Sequence, residues 1–431
     1  MFLPDSVLDC MHRLEDAGFA AYVVGGCVRD HRLGLIPGDY DMCTSALPEE
    51  TEAVFSDCQL VLAGKKHGTV GVVTDSGVVE ITTFRTEGDY RDNRHPEWVE
   101  FVPHVEADLA RRDFTVNAMA YSPIRGYADP FGGQLDLDTK VLRAVGDPTV
   151  RFREDSLRIL RGVRFAVRYG LAVEEKTMAA MVSLRHLMDN LARERVYAEL
   201  CKLLPLVSAE DLIRFAPLLA AVIPELEATI GFDQRNPHHI HDIYGHTAQV
   251  VAAVGPDSVL RWAALLHDVG KPQTFSLDPE GCGHFYGHAK ESATLADKIL
   301  HRLKAPTALR ERVVLLISQH MNPLTPDRKL LRRRLSAMGR EAVYQLLALQ
   351  EADANELRNF AEVRQILAEL EAEDACLSLK DLAVKGQDLI ALGLTGPAIG
   401  KTLNHLLALV LDEQIPNEKE MLLKAAQEVS L

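Results

Sequence analysis

Apolar and polar residues alternate differently in the two parts of the chain. Ala21–Gly26 is a short apolar run that ends in two glycines. Leu60–Ala63, Thr69–Thr74 and Val78–Phe84 are rich in Val, Ile and Thr and bounded by glycines, a pattern that predicts a meander of strands. The character changes after Asp147-Pro148. Leu157, Leu160, Val163, Phe165 and Val167 recur at helical spacing, and amphipathic helices are expected from about 150 to 430, punctuated by Pro224, Pro237, Pro272, Pro306 and Pro323. The expected fold class is α+β, a small mixed α/β head followed by an all-helical neck, body and tail. The expected boundaries are 1–145, 146–225, 226–365 and 366–431. No apolar run approaches the roughly 20 residues that span a bilayer, so no membrane association is expected.

Composition narrows the function classes. The chain has 431 residues, 47% of them hydrophobic and 25% charged, the balance of a soluble globular protein. Its formal net charge of −15 points away from a general polyanion binder, so any nucleic-acid site must be a local basic patch. Seven scattered cysteines without a Cys-x-x-Cys pair exclude a disulfide scaffold or a thiolate zinc site as the organising principle. They fit a reducing cytosol, and the start lacks the basic and apolar regions of a secretory signal.

The densest chemistry lies between Tyr22 and Thr44. Gly25 and Gly26 follow a strand and precede a helix carrying Arg29. Such a turn is either a plain connection or a phosphate cradle with Arg29 as a charged clamp. Asp39 and Asp41 are two apart, which on a strand puts both carboxylates on one face. Carboxylates forced together repel unless a cation joins them, and an all-oxygen set suits Mg²⁺. A solvated Asp-x-Asp turn beside Gly38 is the alternative.

The string GG-x-x-RD-x-x-LG followed by D-x-D resembles the signature of polymerase β-type nucleotidyltransferases, in the tRNA nucleotidyltransferase and bacterial poly(A) polymerase branch. Arg111–Ala118 resembles that branch's RRDFTxNA element. Asp129, Gly133 and Arg143 match its Asp-x3-Gly-x9-Arg spacing, Glu154-Asp155-x-x-Arg158 its EDxxR element, and Glu194-Arg195 with Glu199-Leu200 its neck. The resemblance implies a polymerase β-like palm. It implies that Asp39 and Asp41 hold two Mg²⁺ ions for attack of an RNA 3′-hydroxyl with pyrophosphate leaving. Glu80 is either a third carboxylate or a solvent-facing strand residue. Arg29 and Arg112 would neutralise triphosphate charge, and Asp113 would either accept a ribose hydroxyl or pair with Arg112.

Asp155 and Arg158 are expected at i and i+3 on one helix, as an ordinary ion pair or as a base reader. Cytosine and adenine both present an amine donor beside a ring-nitrogen acceptor, which a carboxylate and a guanidinium match; guanine and uracil present the reverse. By resemblance EDxxR makes this choice, with Arg161 and Arg164 as further nucleotide contacts. Arg143 to Arg168 hold a run of arginines that would supply the local basic patch. The polar stretch Arg85–Pro96 resembles the flexible loop of complete CCA-adding enzymes, and Ala63–Thr69 also resembles a CCA-enzyme segment, which favours them over CC-adding, A-adding or poly(A) enzymes.

In the body, His246, His267-Asp268, His288, His320 and Asp353 occur in an order that resembles the HD superfamily of metal-dependent phosphohydrolases. Imidazoles and carboxylates suit a divalent transition metal. His241-Asp242 is a second His-Asp pair, read as a decoy because it lies in a histidine-rich loop (His238, His239) without an apolar lead-in. Asp381–Leu389 and Gly396–Gly400 extend the resemblance into the tail. The resemblance implies tRNA as partner, held by acceptor end and T arm, and CTP and ATP as substrates. The rival from another class is an HD-type phosphohydrolase whose head binds nucleotide.

Overall fold

The Val/Ile/Thr-rich runs of the first part assemble into one mixed sheet. Its strands are β1 (Ala21–Val24), β2 (Met42–Thr44), β3 (Leu60–Val61), β4 (Thr69–Thr74) and β5 (Gly77–Thr83). After a separate two-stranded ribbon of β6 (Arg85–Glu87) and β7 (Val99–Phe101), β8 (Ala120–Ser122) and β9 (Gly126–Ala128) complete it. The order is β3-β4-β5-β2-β1-β8-β9, and β2 with β5 is its parallel pair. The computed structural model describes residues 1–88, 98–235, 241–354, 360–373 and 375–429.

Two compact units divide the chain. Met1–Val207 and Asp211–Glu227 form one, Ser208–Glu210 and Ala228–Leu431 the other. In the first, Val24, Cys43, Phe84, Leu109, Ala118, Ala120 and Val145 form a buried cluster. The helix Asp5–Asp16 buries Val7, Cys10, Met11 and Leu14, the i, i+3, i+4, i+7 stripe of an amphipathic helix. Asp147-Pro148 marks a real start. Asp147 accepts from Thr149 N at 2.8 Å as N-cap, and Pro148 opens the helix Pro148–Glu154, where its missing N–H costs nothing. The helix Leu157–Tyr169 follows and stops at Gly170, whose φ of 61° suits a C-terminal glycine.

The Asp129, Gly133, Arg143 element is structural glue. Asp129 accepts from Gly133 N at 2.6 Å and Gln134 N at 3.0 Å, capping the helix Gly133–Asp138. A Cβ on Gly133 would lie 2.2 Å from the Thr115 carbonyl oxygen, so this helix touches the RRDF segment backbone to backbone. Arg143 then ties Asp136, at 3.2 Å, to Glu174, at 2.9 Å.

Among the described residues, the regular structure of the second unit is helical apart from a hairpin of Ser276–Leu277 and Gly283–His284. Ile243–Ala253, Ser258–Leu266, His288–Arg302, Thr307–Gln319 and Arg340–Asp353 bury Trp262, Leu266, Ile299, Leu316 and Leu346. A second cluster, with Leu382, Val384, Leu389, Leu406 and Leu422, lies towards the chain's end. Arg333 with Asp412, at 2.6 Å, and Arg328 with Glu413, at 2.8 Å, join the two. Among the described residues no helix is long and apolar enough to cross a membrane.

Candidate functional site

Asp39 and Asp41 are not on a strand, as their spacing suggested. They lie in the extended segment immediately before β2, where the Asp41 carbonyl accepts from Val24 N at 2.9 Å and so keeps the segment in line with β1. The parallel register pairs Met42 with Ile81, which brings the preceding residues, Asp41 and Glu80, side by side. Burial and the neighbouring carboxylates of Asp39 and Glu80 push the Asp41 carboxyl above its ordinary range, against the pull of Arg112. Three acidic side chains thus meet at one spot, each with part of its surface open to solvent.

The glycine turn is braced by the chain around it. Gly25 has φ 75° and donates its N–H to the Met119 carbonyl at 3.0 Å, so that group is not free for a phosphate. A Cβ on Gly25 would stand 2.7 Å from an Arg112 guanidinium nitrogen. The glycine therefore makes room for Arg112 next to the carboxylates. Arg112 also pairs with Asp108 at 3.4 Å, and its Nε is buried without a hydrogen-bond partner. Arg29 is buried rather than presented as a clamp. It bonds Asp30 at 2.7 Å and Asn117, and it lies 4.4 Å above the Tyr169 ring, whose hydroxyl donates to Asp30 at 3.1 Å. Asn117 and Tyr169 escaped the sequence reading because neither carries a charge.

Asp113 does not pair with Arg112. Its Oδ1 accepts from Phe114 N and Asn117 Nδ2, at 2.8 and 3.0 Å, and its Oδ2 accepts from Arg161 Nε and Nη2, at 2.9 and 2.7 Å. Burial would raise this carboxyl, but Arg161 and Asn117 bring it down to about 2. Folding thus gains from its ionisation. The gain is complete above the ordinary carboxylate value and fades as pH falls towards about 2. Asp113→Asn is expected to lower unfolding free energy by about 2 kcal/mol at neutral pH. The gap to wild type should fall to about half near pH 3, and urea unfolding at several pH values measures it. A gap that does not shrink in acid would refute the ionic account.

Asp155 and Arg158 are not an i, i+3 pair within one helix. The chain breaks at Asp155, which ends the helix Pro148–Glu154, and a new helix begins at Leu157. Asp155 accepts from Leu157 N at 3.1 Å and from Arg195, in the neck helix Arg193–Leu203, at 2.7 Å. Arg158 donates to Glu154 at 2.6 Å and to the carbonyls of Arg151 and Arg111, at 3.2 and 2.9 Å. The two side chains are thus oriented separately. Arg164 is buried and bonded to Glu199 at 2.6 Å, which makes it a strut between the helices. The arginine run is less a bare basic patch than expected, since Arg143, Arg151, Arg158, Arg161 and Arg164 all have acidic partners, and Arg153 and Arg168 face solvent. Of the stretch Arg85–Pro96, Arg85–Glu87 is strand β6 rather than loop, and residues 89–97 lie outside the described residues.

In the second unit His246, His267, Asp268, His288, His320 and Asp353 converge. His246 Nε2 is 2.9 Å from Asp353 Oδ1, His288 Nε2 is 3.2 Å from His320 Nε2, and Asp268 stands between the two groups. His267, His288 and His320 each direct Nδ1 at a backbone carbonyl, at 2.8, 2.8 and 2.6 Å, and so turn Nε2 inward. His267 Nε2 is buried without a well-aligned hydrogen bond, with Asp268 and Asp353 oxygens at 3.3 and 3.5 Å. Burial would lower this imidazole, but the two carboxylates push it up to about 10. His320 is instead driven down to about 4 by burial and His267. A positive charge belongs at the centre, and this donor set fits a divalent transition ion. Sequence reasoning passed over Lys271, whose Nζ lies 2.7 Å from Asp268 Oδ2 and 3.1 Å from Gln234 Oε1. Asp242 caps the helix Ile243–Ala253 through Gly245 N at 2.6 Å, while His238 and His239 lie outside the described residues.

Over 420 residues the chain is 33% identical to the CCA-adding enzyme of Bacillus velezensis, covering 96% of this chain and 95% of that one. The chain belongs to the CCA-adding enzymes. As such it is a nucleotidyltransferase. The CCA-adding enzyme of Geobacillus kaustophilus is 42% identical over 237 residues, 53% of this chain and 58% of that enzyme. Among solved structures, the Bacillus stearothermophilus CCA-adding enzyme in complex with CTP superposes with a TM-score of 0.75 at 29% identity, covering 100% of this chain and 98% of that one. Three family matches agree with this membership. Residues 21–143 match the poly A polymerase head domain, 170–229 the probable RNA and SrmB-binding site of polymerase A, and 285–426 tRNA nucleotidyltransferase domain 2.

Proposed function

We propose that this enzyme adds C, C and A to the 3′ end of tRNA, from CTP and ATP and without a template. The observation that carries the reading is the cluster of Asp39, Asp41 and Glu80 facing Arg112, in a chain aligned end to end with CCA-adding enzymes. The mutual repulsion of these hard oxygen donors fits Mg²⁺ bound by Asp39 and Asp41 with Glu80 beside them. Bound there, Mg²⁺ supplies charge stabilisation to the attacking 3′-oxygen and the departing pyrophosphate. Arg112 offers its guanidinium to the triphosphate from above Gly25. Asp113 and Asn117 act by holding Arg161 and Arg29 in place.

Choice of base rests on Asp155 and Arg158. Each Asp155 oxygen accepts one hydrogen bond, from Leu157 N or from Arg195, and keeps a lone pair for an exocyclic amine. Arg158 spends three of its five donors on Glu154 and two carbonyls and keeps others for a ring nitrogen. C and A satisfy both side chains, and G and U satisfy neither. The test is incorporation into tRNA transcripts that end before CCA, after C and after CC, read at single-nucleotide resolution. Three ordered additions that then stop are expected. Open-ended A tails would select a poly(A) enzyme, and C additions alone a CC-adding one.

A second activity is favoured by the six-residue cluster around Asp268. Its inward imidazoles and carboxylates support an HD-type phosphohydrolase site, with Lys271 offering an ammonium group to a phosphate. Phosphate release from phosphomonoesters in the presence of Ni²⁺ or Mn²⁺ is expected to vanish in His267→Ala and persist in Asp39→Ala. Release unaffected by His267→Ala would remove this reading.

A further inference from the structure

Outside the cluster around Asp268, three further metal-ligating side chains meet on the hairpin of the second unit. Asp278, Cys282 and His284 each offer one ligand atom, and these atoms lie within 4.8 Å of one another. The local backbone explains the convergence. Cys282 immediately precedes the second strand, and His284 lies on it two residues further along. Asp278 sits across the turn, donating its N–H to the Cys282 carbonyl at 3.0 Å and accepting from Cys282 N at 2.8 Å. Its other oxygen is 2.8 Å from His284 Nε2. Gly281, with φ 83°, closes the turn by donating to the Asp278 carbonyl at 3.0 Å.

The hairpin is held from outside the cluster as well. Gly283 N donates to the Arg235 carbonyl at 2.8 Å, and a Cβ on Gly283 would lie 2.1 Å from the Gln234 carbonyl oxygen. The His284 ring stacks on Tyr286, with centroids 5.3 Å apart and planes 12° from parallel. The backbone that carries the three donors is therefore anchored from outside the cluster as well as within it.

We propose that Asp278, Cys282 and His284 form a separate transition-metal site that takes Zn²⁺ or a close relative. A thiolate, an imidazole and a carboxylate are a mixed set of borderline softness, which suits Zn²⁺ and Co²⁺ and disfavours Mg²⁺ and Ca²⁺. All three residues are partly exposed, so a fourth tetrahedral position opens to solvent and would take water or an outside ligand. Uptake releases the thiol proton. His284 binds through Nε2, and the proton of its neutral ring sits on Nδ1. The rival is a plain Asp–His contact next to a bystander thiol.

Sulfur separates this site experimentally from the cluster around Asp268, whose donors are nitrogen and oxygen alone. The full-length protein is titrated with Co²⁺ and followed for the thiolate-to-cobalt charge-transfer absorption. The band is expected in wild type and in a His267→Ala, Asp268→Ala double variant, and lost in Cys282→Ser. His284→Ala should weaken Co²⁺ affinity by at least about tenfold. In unaltered protein, Zn²⁺ should slow iodoacetamide alkylation of Cys282 by about tenfold or more, read by peptide mass. No band, a band that survives Cys282→Ser, or an alkylation rate indifferent to Zn²⁺ would overturn the proposal. The alkylation arm needs no variant, so a folding defect cannot mask the answer.

Discussion

Asp39→Ala and Asp41→Ala, made singly, should each cut nucleotide incorporation by on the order of 10³-fold, the scale of losing an electrostatic stabiliser of a transition state. Thermal stability should hold or rise slightly in the same proteins. The reason is the direction of the Asp41 shift. Its carboxyl is pushed up by burial and by Asp39 and Glu80, so removing one acid relieves repulsion in the folded state. A purely structural acid would show the opposite pairing, with activity and stability falling together. Glu80→Gln keeps shape and removes charge at the edge of the cluster, and a smaller loss is expected there. Single-turnover incorporation of CTP, with a thermal melt of each variant, measures both quantities. Incorporation within a few-fold of wild type in either Asp variant would displace the site from β2.

Asp155→Ala should change what is added more than how fast. Discrimination between CTP and UTP, and between ATP and GTP, is expected to fall by at least about 10²-fold, because a site that reads hydrogen bonds rejects mismatches by leaving polar groups unpaired. Arg195→Ala should give a weaker form of the same phenotype. Arg195 touches the Asp155 carboxylate at 2.7 Å from the neck helix, so its loss frees that side chain without deleting it. Competition assays with mixed nucleotides read the ratio directly. If Asp155→Ala slows all four nucleotides equally, the carboxylate positions the helix junction and does not read bases.

Much of the head was legible from local pattern. The runs at Ala21, Thr69 and Val78 are strands because β-branched residues between glycines suit an extended, half-buried backbone. The helix Leu157–Tyr169 followed from its apolar spacing, and Asp147-Pro148 marks the start of the helix before it. The six residues around Asp268 were legible as an ordered set, since each His lies within or at an end of a helix. The errors have a common form. Asp39-x-Asp41 was assigned to a strand that begins one residue later, and Asp155-x-x-Arg158 to a helix that breaks at its first member.

Partner choice was illegible for a physical reason. Asp113 bonds Arg161 across 48 residues, Asp155 bonds Arg195 across 40, and Arg164 bonds Glu199 across 35. Periodicity and caps act over one or two turns, so they set which segments are helices and strands and which chemical groups each one carries. Whether Arg29 faces a phosphate or lies beneath Tyr169, and whether Asp113 serves substrate or Arg161, depends on how helices pack after those segments exist. The amino-acid order carried the elements, the acidic and histidine sets and the kinship with nucleotidyltransferases. Tertiary packing assigned each charge its counter-charge, because an ion pair is decided by distance in space and not by distance along the chain.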